Sequence, residues 1–259
     1  MTEISPRIDE NTRQLYEAYE QEHWEKLESV IQDSGLSLKD VMTHVSAFIR
    51  RRELARICSH YELFKMVEHL PGSIIELGVF LGGGFFTWSK LLETFCPGDR
   101  SRKVYGFENL KGYERFTEQD GNCKPWINRL VGNMAPLETY LDGMVDLHNK
   151  DNLLRGVERC RLIKGDIKET VPSFAKNNMG TRISLLYFDV NLFEPTLTGL
   201  RHLMPLMVPG GIVAFNAYGS PPWEGESRAI EAYFREIGKN LPLMKKFPFS
   251  TYPNSYFMA

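Results

Sequence analysis

The sequence predicts an α/β fold organised around one mostly parallel sheet. Short apolar runs alternate with helical stretches over residues 73–240, the pattern of strands joined by crossover helices. The runs are apolar throughout rather than alternating, as expected of strands covered by helices on both faces. A glycine-rich turn follows the first run, and a polar residue closes each of the other four.

Residues 8–70 read as helical, because Leu15, Tyr19, Trp24, Leu27, Val30 and Ile31 recur at roughly helical spacing. Gly35 interrupts, and a second stretch runs from Leu38 through Phe48 to Leu54, Ile57, Tyr61, Phe64 and Val67, until Pro71-Gly72 stops it. This region is expected to cap a site or form a dimer interface. The first strand is Ser73–Val79, followed by Gly82-Gly83-Gly84 and a helix over Phe85–Phe95. Strands then follow at 102–107, ending at Glu108; at 160–164, ending at Gly165-Asp166; at 183–188, ending at Asp189; and at 211–215, ending at Asn216. Helices are expected over 167–178, 195–207 and 226–240, and edge strands within 247–258. Residues 109–159 insert 51 residues where a crossover needs roughly a dozen, and insertions of that kind are often functional. The predicted organisation is a helical extension over 1–70 and a sheet domain over 71–259 carrying the insertion 109–159.

Composition narrows the classes. Hydrophobic residues make up 42% and charged residues 25% of 259, which excludes wholesale disorder, collagen and coiled coil. With 31 basic and 33 acidic residues, a broad nucleic-acid surface is not expected. No apolar run reaches membrane-spanning length and the N-terminus lacks a signal-peptide core, so a cytoplasmic protein with no membrane partner is expected. Cys58, Cys96, Cys123 and Cys160 lack zinc spacing and read as free thiols of a reducing compartment.

In open α/β sheets, ligands bind beyond the carboxyl ends of the strands. Asp and Asn also favour turns, which is the simpler reading of any one of Glu108, Asp166, Asp189 and Asn216. The ordered set beside a glycine turn points to a site. The turn Glu76-Leu77-Gly78-Val79-Phe80-Leu81-Gly82-Gly83-Gly84 is neither a P-loop, since residue 84 is Gly rather than Lys, nor a GxGxxG fingerprint, since Thr87 stands where the last glycine would be. It still lets a ligand approach the backbone at a helix start. Glu108 suits a ribose diol, Asp166 an adenine amino group and Glu76 an ammonium group. Those three moieties describe S-adenosylmethionine better than NAD.

The segments ELGVFLGGG (76–84), YGFENLKGY (105–113), LIKGDIKETVP (162–172), LLYFDVNLFEPT (185–196), MVPGGIVAFNAYG (207–219) and WEGESRAIEAYF (223–234), with FIRRRELARICSHYELFKMV (48–67) ahead of them, resemble the macrocin O-methyltransferase-like family. The resemblance covers residues 48–258. It implies a Rossmann-like class I methyltransferase sheet of seven strands with the last reversed. It also implies S-adenosylmethionine as cofactor and a sugar hydroxyl of an antibiotic or other secondary metabolite as acceptor. Glu76, Gly78 and Gly82, Gly83 and Gly84 would line the methionine part, Glu108 the ribose, and Asp166 and Ile167 the adenine. Val79, Phe80 and Asn109 complete the cofactor-binding set. Asp189 would stand by the reacting centre.

The family also implies a divalent cation, commonly magnesium, at the ends of strands four and five, held by a D-x-D pattern and then an acidic pair. Here Asp189 is kept, but Asn191, Asn216 and Ala217 occupy the other places. Asp189 and Asn216 are the remaining candidate metal ligands, and anionic oxygens suit magnesium best. A sugar hydroxyl must lose its proton, to which a cation or a general base contributes. Asp189 and His148 are the candidate bases. Glu226 opens a helix near the site; Trp126, Tyr218 and Trp223 are candidates to stack on a ligand or to pack. Arg50, Arg51 and Arg52 read as a solvated helix face or as a diphosphate clamp. N-methylation of an amine, which needs no metal, and a non-catalytic cofactor-binding homologue are the alternative readings. A homo-oligomer is expected from the N-terminal helices.

Overall fold

The computed structural model describes residues 10–124 and 137–259. The chain divides into two compact units after Ala55. The first carries helix α1 (Glu10–Ser34) and helix α2 (Leu38–Thr43), separated by Gly35 at a positive φ of 66°. Ser37 caps α2 reciprocally with Asp40. Arg50 and Arg52 both reach Glu20, at 2.9 and 3.3 Å, and the Arg50 guanidinium lies over the Trp24 ring.

Helix α3 (Arg51–Val67) continues into the second unit. There the elements run β1 (Ser73–Leu77), α4 (Gly83–Phe95), β2 (Val104–Glu108), α5 (Leu137–Lys150), β3 (Cys160–Lys164), α6 (Ile167–Asn177), β4 (Ile183–Phe188), α7 (Phe193–Leu203), β5 (Met207–Phe215), α8 (Gly225–Glu236) and β6 (Ser255–Met258). The sheet order is β3-β2-β1-β4-β5-β6, parallel throughout except that β6 runs antiparallel to β5. Alternation along β1 sends Ile74 to a core with Leu63, Phe64, Trp88 and Leu92, and Ile75 to the opposite core with Val171, Leu200 and Ile230. Helices α3 to α5 therefore cover one face and α6 to α8 the other.

Six strands form this sheet among the described residues, where seven were expected. The outermost position is reduced to a single bridge between Lys245 and Tyr256. Pro242 and Pro248 flank it, and proline cannot donate to a ladder. Several boundaries also differ from those expected, among them three with a local cause. β1 stops at Leu77 because Gly78 turns to φ 87°. α7 ends at Leu203 in a tight turn containing Pro205, and β5 begins earlier, at Met207, across a register shift opposite Ile183–Leu185. The insertion contributes a helix, α5, that periodicity did not single out.

Candidate active site

The carboxyl ends of β2, β1 and β4 lie side by side and carry the glycine turn between two carboxylates. Gly78 passes so close to β4 that a Cβ there would sit 2.3 Å from the Asp189 carbonyl oxygen. At Gly84, on the first turn of α4, a Cβ would sit 2.5 Å from Glu76 Oε2. Glu76 is thus packed beneath the helix start, where its carboxylate accepts from Trp88 Nε1 at 2.6 Å. Burial, and then the Asp189 charge, raise its pKa well above the usual carboxylate range. The sequence suggests an ammonium group as the partner of Glu76; in the structure its Oε1 is buried with no partner among the described residues.

Glu108 ends β2 and pins the turn. Its Oε2 accepts from the Val79 and Phe80 amides at 3.0 and 2.7 Å, and its Oε1 from the Leu110 amide at 3.1 Å. Asn109 closes its own loop, donating to Gly112 and accepting from Lys111 and Gly112. Asp166 caps α6 through Lys168, with Arg115 at 3.6 Å, and Ile167 is buried in the core. Phe80, Leu110 and Asn191 have φ of 49°, 64° and 59°. These non-glycine residues stand at the ends of β1, β2 and β4, and strained backbone of this kind concentrates at ligand sites.

Asp189 follows β4. Its Oδ2 accepts from Arg56 at 2.6 Å, and among the described residues no hydrogen bond reaches Oδ1. Burial raises its pKa and the Arg56 charge opposes the rise. Glu226, fully buried, ties two loops together: Oε1 accepts from the Asn191 amide at 3.1 Å and Oε2 from the Ala217 amide at 2.6 Å. Burial pushes its pKa up to about 8, against the hydrogen bond from Ala217. Asn191 Nδ2 donates to Tyr113 Oη at 2.7 Å, and Tyr187 Oη donates to Asn216 Oδ1 at 3.3 Å. Asp120, from the insertion, holds the Phe193 amide at the start of α7.

His148 comes from the insertion. It sits on α5 with its ring stacked on Phe86 at 4.3 Å, and burial, with Lys90 nearby, lowers its pKa to about 4. It lines a cavity of about 420 Å³ with Leu81, Gly82, Gly83 and Phe86. Trp223 packs with Cys123 and Leu192, and Tyr218 against the α6–α8 core. Trp126 lies outside the described residues.

The magnesium expected at Asp189 and Asn216 is not matched by this donor set. The single carboxylate already carries a guanidinium, Asn216 Oδ1 is partnered, and Asn191 and Ala217 add no charge. Among the described residues, no three His, Cys, Asp or Glu side chains form a metal-binding group. Arg56 is the residue that sequence reasoning missed. Its only local signal was its place in the basic run, one helical turn beyond Arg52.

The family described as Macrocin-O-methyltransferase (TylF) matches residues 10–246. The chain belongs to this family. The chain is similar to the 8-demethyl-8-(2,3-dimethoxy-alpha-L-rhamnosyl)-tetracenomycin-C 4'-O-methyltransferase of Streptomyces olivaceus, 24% identical over 68% of this chain and 63% of its own length. The mycinamicin III 3''-O-methyltransferase of Micromonospora griseorubida is 26% identical over 60% of this chain. The matches span 63% and 58% of these two relatives. The crystal structure of CalS11, a calicheamicin methyltransferase, superposes with a TM-score of 0.81 at 28% identity, covering 93% of this chain and 92% of that one. An apo structure of CalS11, described as a TDP-rhamnose 3'-O-methyltransferase, gives a TM-score of 0.77 at 26% identity and covers 93% of this chain and 94% of that one.

Proposed function

We propose that the chain is an S-adenosylmethionine-dependent O-methyltransferase acting on a sugar hydroxyl of a nucleotide sugar or glycosylated natural product. The observation that carries this reading is the array on neighbouring strands, Glu108, the glycine turn and Asp189, in a macrocin-family chain whose relatives are named for sugar O-methylation. S-adenosylmethionine supplies an electrophilic methyl group on a sulfonium. The backbone at Gly78, Val79, Phe80 and Gly82 to Gly84 leaves room for close approach, and Glu108 is the acceptor for a ribose diol. Asn109, Asp166 and Ile167 would flank the adenine side. Glu76 supports the α4 start from below. Asp189 Oδ1 takes the proton from the acceptor hydroxyl, and fixed positioning of that oxygen contributes much of the rate. His148 belongs to the cavity wall, where it would meet the acceptor's outer part.

Methylation of an amine is the second reading, favoured by the unsuitable metal donor set, because a neutral amine needs no cation to become nucleophilic. Calorimetric titration with S-adenosylhomocysteine, then mass spectrometry with TDP-rhamnose and a TDP-amino sugar, tests both. Methyl gain on TDP-rhamnose supports O-methylation, and gain on the amine alone selects the alternative. No S-adenosylhomocysteine binding would refute both. The reading extends to a cytoplasmic homo-oligomer. Its support is that no described helix is long and apolar enough to cross a membrane, that the four cysteines are free, and that Leu15, Tyr16, Tyr19 and Trp24 are exposed on α1.

A further inference from the structure

We propose that Arg56 replaces a divalent cation at the end of β4, holding Asp189 so that this chain transfers methyl groups without metal. The inference rests on the reading above and goes beyond it by naming a positioning residue. Five observations support it. The guanidinium meets Asp189 Oδ2 at 2.6 Å and leaves Oδ1 open. A planar guanidinium suits a carboxylate, whereas a dication seeks several oxygens, preferably anionic. The neighbouring amides offer only neutral oxygens, and both are tied to tyrosines: Asn216 Oδ1 accepts from Tyr187 Oη, and Asn191 Nδ2 donates to Tyr113 Oη.

The loops after β4 and β5 are also already joined. Glu226 bonds the Asn191 and Ala217 amides from beneath, so no ion is needed to bring them together. Arg56 itself is anchored. Its carbonyl oxygen lies 2.7 Å from both Ser59 Oγ and His60 Nδ1, and the His60 ring packs on Trp88 and Tyr187. Finally, Arg56 Nε is buried with no partner among the described residues. A donor is therefore left for an oxygen that arrives with the ligands.

The test begins with protein dialysed against EDTA. Manganese is titrated in with and without S-adenosylhomocysteine and followed by electron paramagnetic resonance. The expected spectrum is that of the free aqueous ion. One bound manganese per chain, lost in Asp189→Asn, would overturn the proposal. Turnover of the acceptor should be indifferent to EDTA and to added magnesium; loss of turnover in EDTA, restored by magnesium, also overturns it. Arg56→Gln should lower kcat by about 100-fold, the scale of losing one preorganised electrostatic group, with KM for the cofactor little changed. Arg56→Lys should recover part of that loss. Millimolar guanidinium should raise kcat of Arg56→Ala while leaving the wild type unaffected. A merely structural role would show neither rescue, and wild-type kcat in Arg56→Gln refutes the role outright. The manganese measurement needs no turnover. A protein that binds no S-adenosylhomocysteine would refute the methyltransferase reading, while the manganese result still decides the metal question.

Discussion

Replacing Gly84 by Ala tests whether the Glu76 carboxylate lies under the start of α4. A Cβ at residue 84 would stand 2.5 and 2.7 Å from the two Glu76 oxygens and 2.9 Å from Cδ. Such separations are far inside van der Waals contact, so Glu76 must move. It cannot move freely, because Trp88 Nε1 holds it at 2.6 Å and the residue is 1% exposed. Forcing a methyl group into a packed interior costs about 1–3 kcal/mol, and disturbing an ordinary hydrogen bond about 0.5–1.5 kcal/mol. Helix propensity returns up to about 1 kcal/mol. A net loss of about 2 kcal/mol should lower Tm by roughly 4–8 °C in a chain of this size. Gly83 is the internal control, since a Cβ there meets nothing within 4 Å. Gly83→Ala should leave Tm unchanged or slightly raised, yet weaken S-adenosylhomocysteine binding if that open space belongs to the cofactor. Differential scanning fluorimetry and calorimetry read both variants. A Gly84→Ala protein as stable as Gly83→Ala would refute the buried placement of Glu76.

Three further outcomes follow from the same geometry. Glu108→Ala should weaken S-adenosylhomocysteine binding by about 10–100-fold, the range for losing hydrogen bonds to a charged group, measured by calorimetry. Glu226 has a folded pKa of about 8 against a reference of 4.5, so between those values the folded state keeps a proton that the unfolded chain releases. Its contribution to stability is therefore complete below about pH 4.5 and is lost as pH rises toward 8, by up to about 1.4 kcal/mol per pH unit. Glu76 and Asp189, also raised, add slopes of the same sign. Urea melts across pH should show that decline flattened in Glu226→Gln, and an unchanged slope would remove Glu226 as its source. His148→Phe keeps the stack on Phe86, so it should change KM for the acceptor with kcat retained; a kcat loss of about 100-fold or more would return His148 to the role of base.

The strand-end rule found Glu108, Asp166, Asp189 and Asn216 because an apolar run followed by a polar residue is a local pattern, and a parallel sheet brings such ends together. What those residues touch is not local. Arg56 and Asp189 are 133 residues apart, and Glu226 reaches Asn191 across 35. Nothing in the neighbourhood of Arg56 marks it off from Arg50, Arg51 or Arg52, of which Arg50 and Arg52 turn to Glu20. Period-two alternation places Glu76 in the same terms. With Ile75 and Leu77 on the α6–α8 face, Glu76 must point to the face that α4 covers, which is where Trp88 meets it. The absent acids at 191, 216 and 217 were legible as a loss of charge. Their replacement by one guanidinium and one buried carboxylate could be read only once helices α3 and α8 were placed beside the ends of β4 and β5.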